Sequence, residues 1–141
     1  FLQLAQNGSI PAVEINDRPR FAWRGLLLDT ARHFLPVEDI ERTLDGMAAV
    51  KLNVLHLHLT DDQGFRVESK LHPELTAKGA AGRFYSQDDI RRLIRYAAAH
   101  GIRIVPEFDL PGHTTALLAA RPDLASGPPP AAPETGFGVF D

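Results

Sequence analysis

Cysteine is absent from this chain of 141 residues. Disulfide bonds and thiolate metal sites are therefore excluded, although the redox compartment stays open. No apolar run approaches the roughly 20 residues that a membrane-spanning helix needs, so no membrane span is expected. Lys and Arg form no basic stripe and the formal net charge is −3, so the chain has no electrostatic basis for binding nucleic acid.

The N-terminal part of the chain is distinguished by its turn-forming residues. Residues 1–18 have neither a basic start nor an initiator Met, so they do not resemble a signal peptide, and any targeting signal would lie upstream. Asn7-Gly8 and Pro11 predict turns, and the segment is interpreted as a helix end followed by an extended linker. The whole chain is 44% hydrophobic, which is enough apolar material for a core.

Apolar runs that are typical of buried strands alternate with amphipathic segments from about residue 19 onward. Strands are predicted at residues 25–29, about 53–59 and 102–105. Helices are predicted at about 37–48, 87–100 and 114–120. This alternation predicts an α/β fold with a parallel sheet, and both a doubly wound sheet and a (β/α)8 barrel fit it. Because a complete barrel takes about 250 residues, the chain could hold only about three of its eight units.

The second helix and the segments around it carry recognisable signals. Ser86 and Asp89 resemble a capping box, and Gly101 fits the position just beyond the helix end. Residues 66–84 contain proline and glycine and are expected to be an irregular insertion. Pro106 is expected to interrupt the regular pairing of the third strand.

Acidic residues follow two of the predicted strands. Asp61 and Asp62 come after the second strand, and Asp109 and His113 come after the third. In α/β barrels the carboxyl ends of the strands carry the chemistry, so one shared site is expected. A histidine that a carboxylate orients is suited to acid–base chemistry, which makes Asp109 and His113 candidates. The alternatives are a solvated turn or a helix cap for the acids, and a cap of the third helix for His113.

Arg32, which follows the first strand, is the candidate for binding a ligand. Its guanidinium offers a planar fork of donors that suits vicinal hydroxyls or a carboxylate. A surface ion pair with Glu38 or Asp39 is the alternative.

His56 and His58 alternate along the second strand and therefore share one of its faces. Together with Asp109 and His113 they could form a zinc site. The other interpretation is two hydrogen-bonded histidines in a packed barrel interior, which is favoured because the first acid, Asp61, lies three residues beyond His58.

Four motifs occur in order along the chain. They are residues 24–34 (RGLLLDTARHF), 45–48 (DGMA) with 51–56 (KLNVLH), 59–64 (LTDDQG), and 106–107 (PE) with 109–113 (DLPGH). These motifs resemble those of the family 20 glycoside hydrolases, the β-N-acetylhexosaminidases. The resemblance covers about residues 19–141. Residues 1–18 resemble the end of the small α+β domain that precedes the barrel in that family.

The resemblance implies the N-terminal portion of a (β/α)8 TIM barrel, about its first three βα units, truncated before strand four. It also implies a parent enzyme that removes terminal non-reducing β-linked N-acetylglucosamine or N-acetylgalactosamine, with no cofactor and no metal. The implied mechanism is retaining and substrate-assisted. The acetamido oxygen of the substrate attacks the anomeric carbon, a Glu protonates the leaving oxygen, and a neighbouring Asp orients the acetamido group. The resemblance favours a periplasmic or secreted location.

The resemblance also suggests roles for four residues. Arg32 matches the arginine that grips the 3- and 4-hydroxyls of the sugar. Asp61 and His113 match the Asp and His that link to the acid Glu and help set its pKa. Asp109 matches the carboxylate that supports this histidine.

The chain departs from the family pattern in two respects. The His-x-Gly-Gly-Asp-Glu motif that contains the acid Glu is missing, and Leu57 and Phe65 stand where the family often has Trp. Asp29 and Glu107 lie in matching motifs without a definite role. The chain alone is therefore expected to be inactive. For the parent protein, a zinc-dependent barrel hydrolase and a non-catalytic carbohydrate-binding remnant are the alternatives.

Overall fold

The structure, a computed structural model, describes residues 2–136, so residues 137–141 of the predicted domain 19–141 lie outside the described part. The strands are β1 (Gly25–Asp29), β2 (Val54–Asp61), β3 (Gly64–Phe65) and β4 (Arg103–Phe108). The α-helices are α1 (Val37–Ala49), α2 (Glu74–Gly79), α3 (Gln87–Ala99) and α4 (Thr115–Ala120). Two short 3-10 turns cover Leu2–Leu4 and Pro122–Leu124.

A parallel sheet with β2 at its centre organises the molecule. β2 pairs in parallel with β1 on one side and with β4 on the other, while the short β3 folds back antiparallel on the end of β2. The register places Asp29, His58 and Glu107 side by side on the three parallel strands. The predicted parallel α/β arrangement is therefore confirmed.

The apolar core lies on one face of this sheet. Its buried side chains are Val37, Ile40, Leu44 and Met47 of α1, Leu55, Leu57 and Leu59 of β2, Leu93 and Ala97 of α3, and Tyr85 and Ile102. Because α1 and α3 also contact each other, both connecting helices cover the same face. A (β/α)8 barrel has its helices on the outer face of a parallel sheet, and the present arrangement fits that requirement. No helix in residues 2–136 is both long enough and apolar enough to cross a membrane.

The predicted helix-end signals are present around α3. The Ser86 side chain accepts a hydrogen bond from the Asp89 backbone N–H, and the Asp89 carboxylate accepts one from the Ser86 N–H, as a capping box requires. Gly101 follows the C-cap with a φ of +69°, a left-handed conformation that glycine adopts without strain. The amphipathic pattern and its caps are thus sufficient to define this helix.

Two predictions about local structure were wrong. The segment 66–84 is not wholly irregular, because α2 forms within it and packs against α4, a tertiary contact that local sequence does not reveal. β4 continues through Pro106, which pairs with Leu57. Among the described strands β4 lies at a sheet edge, where a missing N–H is tolerated. The irregularity in pairing falls instead between His58 and Thr60 on β2.

Residues 3–18 are almost wholly exposed. The predicted turn at Asn7-Gly8 is confirmed, since both residues have positive φ and a bridge joins Gln6 to Ser9. The origin of this segment in a preceding domain stays a prediction.

We predict that Gly79→Ala destabilises the protein, because an added Cβ would lie 2.7 Å from the carbonyl oxygen of Ala116 where α2 meets α4. The expected loss in the free energy of unfolding is about 1–3 kcal/mol, measured by urea denaturation of the full-length protein that contains this chain. Gly46→Ala in α1 is the matched control, since its Cβ would meet no atom within 4 Å. That change should be neutral or stabilising by up to about 1 kcal/mol. Equal effects at the two positions would contradict the close helix contact.

Candidate functional site

The carboxylate of Asp61, the last residue of β2, is the centre of a polar cluster at the carboxyl ends of the strands. Its Oδ2 lies 2.7 Å from the Arg32 guanidinium and 2.8 Å from His58 Nε2. Its Oδ1 accepts the Asp62 backbone N–H at 2.7 Å and lies 3.2 Å from His113 Nδ1. Asp61 is only 2% exposed, so a buried carboxylate gathers partners from three parts of the chain. The predicted site residues Arg32, Asp61 and His113 therefore lie together.

Asp29, at the end of β1, holds Arg32 in position. Its Oδ1 accepts the Arg32 backbone N–H at 3.0 Å, and its Oδ2 accepts a guanidinium N–H at 2.5 Å. Burial would raise the pKa of Asp29, but the hydrogen bonds from Arg32 outweigh burial, so the pKa is lowered. The alternative pairing of Arg32 with Glu38 or Asp39 is wrong, because its ion pairs are with Asp29 and Asp61. The Arg32 side chain stays 48% exposed, which leaves donors accessible to a ligand.

His113 reaches the cluster from the loop between β4 and α4. It adopts a φ of +58°, a left-handed conformation that is uncommon for a residue with a side chain. Its side chain is 55% exposed, with Nδ1 directed to Asp61 and the rest of the ring open to solvent. It is not the N-cap of α4, since Thr114 occupies that position and makes no side-chain cap.

The Asp62 carboxylate stabilises the fold and does not take part in the polar cluster around Asp61. Its Oδ1 accepts the backbone N–H and the hydroxyl of Thr115 at 3.1 and 2.6 Å, and its Oδ2 accepts the Gly136 N–H at 3.0 Å. Burial would raise the pKa of Asp62, but these hydrogen bonds outweigh burial and lower it. Asp62 therefore holds the first turn of α4, the helix-cap role that the sequence left open for these acids.

Asp109 does not contact His113 in the way the sequence suggested. Its carboxyl lies beside that of Glu107, since ligand atoms of His58, Glu107 and Asp109 are all within 4.8 Å of one another. Burial raises the pKa of Asp109, and the hydrogen bond to Glu107 together with the charge of Glu107 raises it further. His113 takes its support from Asp61, with Asp62 Oδ2 4.0 Å away. The reason is geometric: Asp61 ends the central strand, whereas Asp109 follows the neighbouring strand beside Glu107.

Glu107 bridges the two histidines of β2. One of its oxygens lies 3.0 Å from His58 Nδ1, and the other lies 2.5 Å from His56 Nε2. Burial would lower the pKa of His58, but hydrogen bonds with Asp61 and Glu107 outweigh burial, so the pKa is raised. The two histidines thus lie on one face of the sheet beside carboxylates, and His58 is hydrogen-bonded to Asp61, in line with one of the two sequence interpretations.

The structure does not bring together the four residues of the predicted zinc site, His56, His58, Asp109 and His113. Two sets of described residues have ligand atoms within 4.8 Å of one another: His58 with Glu107 and Asp109, and Asp61 with Asp62 and His113. Neither set contains His56, and His58 and His113 fall in different sets. Each ring nitrogen that faces a set already contacts a carboxylate.

Arg66 supports the loop that carries Arg32, and sequence reasoning missed it. Its Nε and Nη2 donate to the Ala31 carbonyl at 3.1 and 2.8 Å, and its Nη1 donates to the Ala80 carbonyl at 2.7 Å. Burial lowers the pKa of this guanidinium, which has backbone carbonyls as partners. The guanidinium lies directly over Gly64, where any Cβ would clash with it. Gly64, two residues before Arg66, is the sequence signal that could have indicated a buried arginine.

Glu107 and Asp29 could also have been placed from the sequence. Parallel strands set their carboxyl ends at one edge of a sheet, and residues two apart share a face. Aligning the ends of the three predicted strands would have set Asp29, His58 and Glu107 next to one another, as the register does.

A parallel sheet with helices on one face and ion-paired side chains at the strand ends is the arrangement found in α/β-barrel enzymes. Residues 21–137 match the catalytic domain of glycosyl hydrolase family 20. This chain belongs to that family.

Similar proteins include several β-hexosaminidases. A beta-hexosaminidase of Porphyromonas gingivalis is 43% identical over 140 residues, which are 93% of this chain and 18% of that protein. A beta-N-acetylhexosaminidase of Cellulomonas fimi is 44% identical over 138 residues, 93% of this chain and 28% of that protein. In both cases this chain spans less than a third of the relative's length.

Solved structures from the same group share the fold. A beta-N-acetylhexosaminidase from Bacteroides fragilis aligns with a TM-score of 0.88 and 36% identity, over 99% of this chain and 30% of that one. The Flavobacterium johnsoniae chitobiase aligns with a TM-score of 0.82 and 46% identity, over 99% of this chain and 22% of that one.

We predict that Asp62→Ala lowers the free energy of unfolding of the full-length protein by about 1–3 kcal/mol at pH 7, because the Thr115 N–H and hydroxyl lose their acceptor. A lowered folded-state pKa stabilises above the unfolded pKa, and this stability is lost as the pH falls through the folded value. The difference should therefore be constant down to about pH 5 and shrink below about pH 4. Urea denaturation across this range would measure it. Asp17→Ala, at an exposed position, is the control and should change little. A difference that does not shrink in acid would contradict the assignment.

Proposed function

We propose that the protein containing this chain hydrolyses terminal non-reducing β-linked N-acetylhexosamine residues, with retention of configuration and with the substrate's acetamido group as the nucleophile. The observation that carries the proposal is the convergence of Arg32, His58 and His113 on the buried Asp61 carboxylate. Family membership and the names of the relatives support the reaction class.

The geometry fits a role for Arg32 in holding the sugar. Asp29 and Asp61 fix the guanidinium from two sides, while nearly half of the side chain remains exposed. A guanidinium oriented in this way presents donors to adjacent hydroxyls, such as those at positions 3 and 4 of a sugar. Pre-organising the donors removes part of the entropic cost of binding.

Asp61 and His113 fit a role in supporting a general acid. His113 directs Nδ1 to Asp61, so its other ring nitrogen is free to face a proton donor. The Asp-Glu pair that would include this donor does not occur in the sequence, so it would come from another part of the protein. Asp61 and His113 would form a charged relay to this acid, and such a relay in a poorly hydrated site can shift the pKa of the acid.

We further propose that β1, β2 and β4 with their helices are about the first three βα units of a (β/α)8 barrel. Both outer strands of the described sheet could accept a further neighbour, and a strand edge of this kind is usually covered. Beside β4 an apolar depression lies between sheet and α3, lined by Leu57, Ile90, Leu93, Ile94, Ile104 and Pro106. Residues 1–18 would link this barrel to a preceding small α+β domain, and the chain by itself would be inactive.

Arg32→Ala in the full-length protein is expected to lower kcat/KM on an aryl N-acetyl-β-glucosaminide by about 30- to 1,000-fold. This corresponds to the loss of about 2–4 kcal/mol of transition-state stabilisation when charged hydrogen bonds to the substrate are removed. Arg92→Ala is the matched control, because Arg92 pairs with Glu41 on the helical surface and should leave the rate unchanged. An unaltered kcat/KM for Arg32→Ala would remove this residue from the binding site. Absence of turnover in the unaltered protein would point to a binding remnant.

His113→Ala is expected to shift one limb of the pH dependence of kcat/KM, because the proton donor would lose the neighbour that links it to Asp61. The profile should be recorded with the same aryl substrate from about pH 4 to pH 9. His72→Ala is the control, since His72 pairs with Glu74 on an exposed surface. A His113→Ala variant with a normal kcat/KM and both limbs of its pH profile unshifted would contradict the proposed relay.

A further inference from the structure

We propose that His58 is held as an imidazolium cation between Asp61 and Glu107 at neutral pH, and that it positions the Asp61 carboxylate for the proposed reaction. The positioning part rests on the proposed function, whereas the charge state can be measured without turnover.

The contacts of the His58 ring carry this assignment. Nε2 lies 2.8 Å from Asp61 Oδ2, and Nδ1 lies 3.0 Å from Glu107 Oε1. A neutral imidazole has one N–H donor and one acceptor nitrogen, so it can donate to only one of two carboxylates. Only the imidazolium donates at both nitrogens. The side chain is 6% exposed, so water cannot easily replace either partner.

The neighbouring acids do not offer an equivalent place for the proton. Each Asp61 oxygen already accepts from a group that is a donor in every protonation state, Oδ1 from the Asp62 N–H and Oδ2 from the Arg32 guanidinium, and each also faces a histidine nitrogen. Glu107 is the other candidate. Burial raises the pKa of Asp109 and the charge of Glu107 raises it further, while hydrogen bonds with Asp109 and His58 outweigh burial and lower the pKa of Glu107. Of these two acids, Glu107 therefore has the weaker tendency to hold a proton.

The charges around His58 favour the cation. Asp29 faces it from β1, Asp61 from its own strand, and Glu107 and Asp109 from β4 and the residues after it. The cation of Arg32 pairs with Asp29 and Asp61, whereas the described ion pairs of Glu107 are with His56 and His58. A neutral His58 would leave Glu107 with His56 and Asp109 as its remaining polar partners.

The cation has a direct consequence for Asp61. Together with Arg32 it occupies Oδ2, which fixes the rotation of the carboxylate and leaves Oδ1 directed at His113. His58 acts on the groups that we propose to contact the substrate only through Asp61. It is therefore a positioning residue. With a neutral ring only the acceptor of this hydrogen bond is charged, whereas the cation adds a Coulombic attraction between opposite charges in a buried site, so it holds the carboxylate more firmly.

The test is nitrogen-15 NMR of the full-length protein labelled at histidine, since the chemical shift of each ring nitrogen reports whether it is protonated. Signals of His58 are assigned by their loss in His58→Gln. Both ring nitrogens of His58 are expected to be protonated at pH 7, where an ordinary histidine is mostly neutral. Loss of one ring proton at or below pH 7 in the unaltered protein would overturn the proposal.

Glu107→Gln keeps the shape of the side chain, but its amide can donate a hydrogen bond to His58 Nδ1. A neutral His58 ring could then satisfy both of its neighbours. We expect His58 to titrate in this variant, with kcat/KM near normal at pH 5 and about tenfold lower at pH 8. Glu74→Gln is the matched control, because Glu74 contacts an exposed histidine at one ring nitrogen and lies outside the site. Its pH profile should match that of the unaltered protein.

The outcomes separate the two proposals. A doubly protonated His58 in a protein without turnover would support the charge assignment and contradict the proposed function. A Glu107→Gln variant whose His58 keeps both protons would overturn the role of Glu107 and with it the proposal. Titration of His58 in that variant with no change in the pH profile would overturn the positioning role.

Discussion

The buried carboxylate of Asp61 is the contact on which the strand-end arrangement depends. A carboxylate that is 2% exposed needs compensation for its lost hydration, and here four donor contacts supply it. They come from Arg32 after β1, from His58 and the Asp62 backbone on and after β2, and from His113 after β4. Because removing one partner of a buried charge is strongly destabilising, the candidate site also contributes to the stability of the sheet that carries it.

Asp61 and Asp62 are adjacent in the sequence but have different structural roles. Asp61 faces the polar cluster, whereas Asp62 turns to Thr115 and Gly136 and anchors α4. By holding α4, Asp62 also limits where the preceding His113 can lie. The polar cluster around Asp61 and helix α4 are thus connected through these two adjacent acids. Mutating either acid is therefore expected to affect both the cluster and α4, for different physical reasons.

Much of the fold could be predicted because its signals are local and repeated. The apolar stripe of α1, the capping box at Ser86 and the glycine at position 101 each act within a few residues. The parts that were missed depend on distant contacts. Helix α2 is stabilised by α4, and the tolerance of β4 for Pro106 depends on its place in the sheet. The pairing of Asp109 required the register, which single-strand patterns do not contain.

The alternation of side chains along β2 connects the core to the cluster. Leu57 and Leu59 face α1 and α3, and His58 between them faces the opposite side. At the other end of the β1–β2 pair, Asn53 fixes the register by accepting the Arg24 N–H at 2.9 Å. A slip of one residue would move each contact by about 3.3 Å and exchange the two faces, which would bury the histidine among leucines. The hydrogen-bond distances around Asp61 therefore depend on the same register that buries the core, and a substitution that loosens one is expected to loosen the other.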